Sequence, residues 1–152
     1  MRVILLPGDG IGPLVLREAV RALRAVDFPG ELEEQPFGLE CWRSSGSTLP
    51  DSTLAAVRAA GVALLGAATT PEDGPPSPIL SLRRALDLDL MVRPVREGRI
   101  DAVVLGAEFE GLYAEAEDPG PPARASWTLT ERGADRLLAA AFARARTRVT
   151  VV

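Results

Sequence analysis

The stretch LLPGDGIGP, Leu5 to Pro13, decides how the chain begins. It overlaps the end of RVILL, residues 2–6, whose apolar run predicts a buried strand, and it leads into LVLREAVRALRAV, residues 14–26. The order is therefore strand, glycine turn, helix. Gly12 and Pro13 suit a helix start, because proline at the first helical position gives up no hydrogen bond. Leu16, Ala19, Val20, Leu23 and Val26 recur at helical spacing and predict the core face of that helix. The turn itself has two readings. A dinucleotide cradle wants G-x-G-x-x-G and room for a pyrophosphate at the helix N-terminus. Here the third glycine comes one residue early, a proline follows it, and Asp9 would repel a phosphate. A tight strand-to-helix turn is the reading these residues prefer.

Further along, LEEQPFG predicts an edge strand, since Pro36 argues against a central one. Asp51 is placed to cap the helix STLAAVRAA, which Gly61 ends. VALLGAAT predicts a second buried strand. TPEDGPPSP is a loop leading into a helix over ILSLRRALDL, and LMVRPV is extended. EGRIDAVVLGAEFEGLYAEAED predicts a turn, a buried strand, a loop and a more alternating strand, returned by ARASWTL after the turn DPGPP. Thr128 and Glu131 have capping-box spacing for a helix running to about Arg148, and VTVV closes as a short strand. Strands and helices alternate, so the class is α/β.

The 152 residues carry 47% apolar and 25% charged side chains, enough for a real core, with a net charge of −4. No basic block interleaves with aromatics, which argues against nucleic acid. No apolar run is long enough to cross a bilayer and the N-terminus does not read as a signal peptide, so a cytoplasmic location is expected, with no membrane contact. Cys41 is a single cysteine and cannot form an internal disulfide. All 17 basic residues are arginine, with no histidine and no lysine. Imidazole bases, Schiff bases and histidine-ligated metals are thereby excluded, leaving carboxylates, hydroxyls, Tyr113 and arginine for chemistry.

Two groupings stand out. Arg83, Arg84 and Arg93 lie near one another in sequence, and guanidinium pairs with carboxylate in a bidentate way. They could hold a di- or tricarboxylate, or could equally form surface salt bridges with Asp87 and Asp89. The run Glu115, Glu117 and Asp118 reads as solvated charge, and no metal site is expected there. Tyr113, the single tyrosine, reads by itself as a half-buried strand residue.

Taken in order, LPGDGIGP, GSTLPDSTL, LLGAATTP, LRRALDL, VRP and EGLY resemble the N-terminal part of the β-decarboxylating dehydrogenases, the family of isocitrate, 3-isopropylmalate and homoisocitrate dehydrogenases. LLGAATTP and EGLYAEAED look most like the homoisocitrate branch. The resemblance implies a truncated isocitrate/isopropylmalate dehydrogenase-like fold: a mixed sheet with flanking helices and a protruding hairpin arm. It divides the chain into part of a large lobe, 1–94, and part of a small lobe, 95–152, with the arm at 113–129. It also implies a rim role for Asp9, Gly10, Ile11 and Gly12 near the nicotinamide end of a cofactor. Arg83, Arg93 and Thr70 are implied as substrate-binding residues, and Tyr113 as a vestigial catalytic residue.

Family chemistry removes a hydride and a hydroxyl proton, then decarboxylates the resulting ketone on a divalent metal. Three arginines, a lysine base and metal-binding aspartates serve it. In this chain Gly106 stands where the family's motif R-E-N-x-E-G-L-Y begins, Met91 replaces the asparagine before the RP pair, and Leu80 takes the place of a discriminating arginine in the homoisocitrate branch. After a strand like VTVV the family continues into H-K-A-N, with its lysine. The expectation is a non-catalytic relative that needs no cofactor, with NAD and magnesium relevant only if family activity survives. Its expected partners are a small carboxylate, a second copy through the arm, or a full-length dehydrogenase. The alternative is a residual NAD-dependent 2-hydroxy acid dehydrogenase.

Overall fold

The computed structural model describes residues 1–71, 74–110, 117–118 and 120–151. The chain divides into two compact units, Met1–Asp87 and Leu88–Val152. Pro94, where the expected first lobe ends, lies inside the strand Leu90–Glu97.

In the first unit, β1 (Arg2–Gly8) is the central strand of a parallel sheet, between β2 (Glu31–Glu34) and β3 (Ala63–Ala67). Its alternation sorts the core. Ile4 and Leu6 point to one face, with Phe37, Val57 of α3 (Asp51–Ala60) and Leu82 of α4 (Pro78–Ala85). Val3 and Leu5 point to the other, with Leu16 of α1 (Gly12–Ala25). A parallel sheet must be covered on both faces, and this run of consecutive apolar residues in β1 is the sequence counterpart. β2 is an edge strand, as Pro36 implied. Phe37 leads from it to a short helix, α2 (Leu39–Ser45). The fully buried Thr53 ties α3 to the loop after β2 by donating to the Pro36 carbonyl at 2.8 Å.

The glycines of the opening turn answer to close packing. A Cβ on Gly12 would lie 2.2 Å from the Pro7 carbonyl oxygen and 2.7 Å from the Ala67 nitrogen. A Cβ on Gly66 would lie 2.4 Å from that same Pro7 oxygen and 2.6 Å from the Gly12 oxygen. The start of α1 thus crosses β3 at backbone contact distance, which only glycine allows.

In the second unit, β4 (Leu90–Glu97) pairs antiparallel with β5 (Ile100–Ala107) through the two-residue loop Gly98–Arg99, with Gly98 at φ 55°. α5 (Glu131–Arg144) packs against β5. A third, two-residue ladder joins β6 (Glu117–Asp118) to β7 (Arg124–Ala125). The α/β class holds, but parallel and antiparallel ladders lie in separate sheets among the described residues rather than in one mixed sheet.

Several local expectations are corrected. Val26 is exposed, because α1 ends at Ala25 and its core face ends with it. Pro50, not Asp51, precedes α3, so Asp51 becomes a first-turn acid that complements the helix dipole. Thr130, not Thr128, caps α5, its hydroxyl accepting from the Gly133 nitrogen at 3.0 Å. α5 stops at Arg144, and residues 149–151, the described part of VTVV, form no strand. The strand predicted over ARASWTL is reduced to two residues. β5 is exposed along most of its length, since a two-stranded sheet buries little of either face.

Replacing Gly66 by alanine should cost about 1–3 kcal/mol, because overpacking against backbone cannot be relieved by a side-chain rotation. Urea unfolding followed by circular dichroism measures it. An unchanged midpoint would mean that the α1–β3 crossing is loose.

Candidate functional site

Asp9 is the first expected site residue, and it is turned inward rather than presented at a surface. Only 6% of it is exposed. One carboxylate oxygen accepts from the Glu40 nitrogen and the other from the Thr69 nitrogen, both at 3.0 Å, while the Asp9 nitrogen donates to the Ala67 carbonyl at 2.7 Å. The carboxylate therefore joins the end of β1, the start of α2 and the segment after β3. Gly38 makes the approach possible: it has φ 98°, and a Cβ there would lie 2.6 Å from an Asp9 oxygen. Burial alone would push the Asp9 carboxyl up. The backbone amides of Leu39, Thr69 and Glu40, with the Arg43 guanidinium, outweigh it and hold the group below the usual aspartate value.

The neighbouring turn has few donors left for a phosphate. The Gly12 nitrogen donates to the Asp9 carbonyl at 2.8 Å, and those of Leu14 and Val15 both donate to the Ile11 carbonyl at 3.0 Å. Pro13 has no N–H to offer. The helix start is closed on itself, so the tight-turn reading of GDGIG accounts for its geometry. Gly10 and Ile11 remain exposed at the outer side of the turn. Thr70 is exposed just beyond β3, and Arg83 is half-buried in the last turn of α4.

Arg93 belongs to the second unit. It is exposed on β4, opposite Val104, and among the described residues its guanidinium makes no hydrogen bond or ion pair. Met91 and Gly106, both departures from the family motif, are direct cross-strand partners on that same face. The Met91 methyl lies 2.9 Å from where a Gly106 Cβ would stand. Asp89, weighed as an arginine partner in the sequence, accepts instead from the Phe109 nitrogen at 3.2 Å and faces Arg136 at 3.8 Å. Tyr113 lies outside the described residues, as do 114–116 and 119 of the expected arm, while the β6–β7 ladder falls within that arm.

Two roles were missed in the sequence. The signal for Asp9 was a helix, LECWRSS, preceded by glycine and so lacking a side-chain cap of its own. The second is Glu110, whose carboxylate accepts from the Thr130 nitrogen at 2.8 Å and also from the Thr130 hydroxyl. The Thr130 hydroxyl first, then its amide, lower the Glu110 carboxyl below the usual value. This is the reciprocal half of a capping box, supplied from twenty residues away instead of from the third helical position. No three acidic or cysteine side chains converge as a metal site among the described residues, and Asp9 is already committed to backbone amides. The donors seen here do not fit the family's divalent metal. Among those residues, no helix is long and apolar enough to cross a membrane.

The model of the isocitrate/isopropylmalate dehydrogenase family matches residues 2–152. A 3-isopropylmalate dehydrogenase of Frankia casuarinae is 35% identical over 95% of this chain and 48% of its own length. A homoisocitrate dehydrogenase of Methanocaldococcus jannaschii is 31% identical over 93% and 47%. Among solved structures, isocitrate dehydrogenase from Methylococcus capsulatus superposes with a TM-score of 0.79 at 31% identity, over 95% of this chain and 47% of that one. An apo β-decarboxylating dehydrogenase from Thermococcus kodakarensis gives 0.74 at 34%, over 94% and 45%. The chain thus spans under half the length of these relatives.

Asp9→Asn should destabilise the protein by about 1.5–3 kcal/mol at neutral pH, the scale of hydrogen bonds to a charged group. The pH dependence follows from the lowered carboxyl. The stabilisation is fully present above the ordinary aspartate value, about 3.9, and is lost as pH falls through the lower folded-state value. Urea unfolding at stepped pH should show the gap between wild type and variant closing only in strong acid. A gap independent of pH would show that the charge contributes nothing.

Proposed function

The chain belongs to the isocitrate/isopropylmalate dehydrogenase family, and from that premise we propose that its 152 residues bind a small carboxylate without oxidising it. Arg93 carries this reading: an exposed guanidinium without an acidic partner among the described residues, in a segment that matches the family's VRP. A planar fork of donors suits a carboxylate better than any other side chain does. Arg83 and Thr70 are the corresponding candidates in the first unit.

Binding without turnover is favoured by the available groups. These residues contain no lysine and no histidine, so a neutral-pH base must be a carboxylate or a tyrosine. The Asp9 carboxylate is spent on backbone amides, and Gly106 replaces an arginine of the family motif. A second reading, contact with another protein or with a second copy, is favoured by Trp127 and Leu129, which are 63% and 64% exposed within the expected arm.

Thermal unfolding in a panel running from acetate through malate and isopropylmalate to isocitrate and homoisocitrate, with and without magnesium and NAD, tests the first reading. At a hundred times its dissociation constant a ligand adds about 2.7 kcal/mol, a rise of several degrees. Arg93→Ala should abolish the shift. No shift with any carboxylate would overturn the reading, and NADH formation would restore residual dehydrogenase activity in its place. Deleting residues 114–127 should leave a monomer if the arm mediates self-association, as read by light scattering.

A further inference from the structure

Resting on the carboxylate reading of Arg93, we infer that this face of the β4–β5 ladder selects a branched-chain monocarboxylate over di- and tricarboxylates. Residues directly opposed in an antiparallel ladder share a face. The register therefore places Arg93 beside Val104, with the pair Met91 and Gly106 on one side and the pair Val95 and Ala102 on the other. The guanidinium is the one cation on this face of the ladder, and its ladder neighbours there are apolar or glycine. Val95 and Val104 are themselves exposed, so apolar surface is available on both sides of the charge.

The side toward Met91 matters most. Gly106 offers no side chain, and the Met91 methyl occupies the space above it. Met91 is flexible and polarisable, suited to packing on an irregular alkyl group. Beyond that pair the ladder continues through the Glu108 nitrogen, which donates to the Asp89 carbonyl at 2.8 Å. At that end the buried Asp89 carboxylate is engaged by the Phe109 nitrogen and the Arg136 guanidinium. A ligand lying from Arg93 toward Met91 meets one cation and then apolar surface. A second anionic group on such a ligand would lose solvation on the apolar stretch with no cation there to pair with it. An isobutyl group gains contact there instead, at about fourfold in affinity for each buried methylene.

The test compares isocaproate, acetate and citrate as ligands of the whole 152-residue chain by NMR titration. Isocaproate should bind at least tenfold more tightly than either competitor, with the largest shifts at Met91, Arg93 and Val104. Arg93→Ala should abolish its binding. Met91→Asn should bring isocaproate close to acetate, and Met91→Asn combined with Gly106→Arg should shift the preference toward citrate. The single variant keeps the test decisive if the double variant fails to fold. Citrate binding as tightly as isocaproate, through Arg93, would overturn this selectivity while leaving the carboxylate reading intact. Binding of none of the three would overturn both.

Discussion

One buried carboxylate holds the first unit together. Asp9 leaves the end of β1 and bridges the amides at the start of α2 to the Thr69 amide after β3. A short helix with glycine before it has no side chain to satisfy its first N–H groups, and a negative charge placed there also complements its dipole. The constraint propagates. Gly38 must lack a Cβ so that the carboxylate can approach, and Gly12 and Gly66 must lack one so that α1 can cross β3. Conversion of Asp9 to a neutral group would leave buried amides competing for a weaker acceptor. The aspartate in the opening motif is therefore a structural element of the turn, and its outer edge, Gly10 and Ile11, is what remains exposed.

The second unit repeats the device on a smaller scale. Glu110 caps α5 from outside the helix, and Asp89 joins the end of β4 to Phe109 and Arg136. Here the polar pins secure a sheet of two strands, and much of that sheet stays exposed. The exposure has a chemical consequence. It leaves Arg93 on an apolar strip without a counter-charge among the described residues, while Met91 and Gly106 meet beside it as an apolar contact.

Legibility in the sequence followed the range of the interaction. β1, α1, the edge strand β2 and the glycine that ends α3 came from patterns contained within a few residues. The cap of α5 did not, because Thr128 has the capping-box partner at the right spacing while Thr130 has the one supplied by the fold, Glu110. β5 reads as buried by its apolar run, yet that run cannot say how many strands or helices cover it. Arg83 and Arg93 are close in sequence but belong to different units, so their nearness along the chain does not by itself make a pair. The arginine–aspartate pairing open in the sequence resolved, for Asp89, toward an arginine forty-seven residues on.

By itself the sequence determined the α/β class, the strand–turn–helix opening, the all-arginine basic composition, and the motif order that carries the family resemblance. All of these depend on composition or on neighbours along the chain. Tertiary structure alone decided that Asp9 is buried with its carboxylate bound to the backbone of two other segments, that Glu110 serves as a distant half of a cap, and that Met91 fills the space over Gly106. Each of those depends on which backbone groups need a partner once the chain is folded, and on how near two segments come. Hydrogen-bond satisfaction and steric approach are properties of positions in space, and spacing along a sequence does not encode them locally.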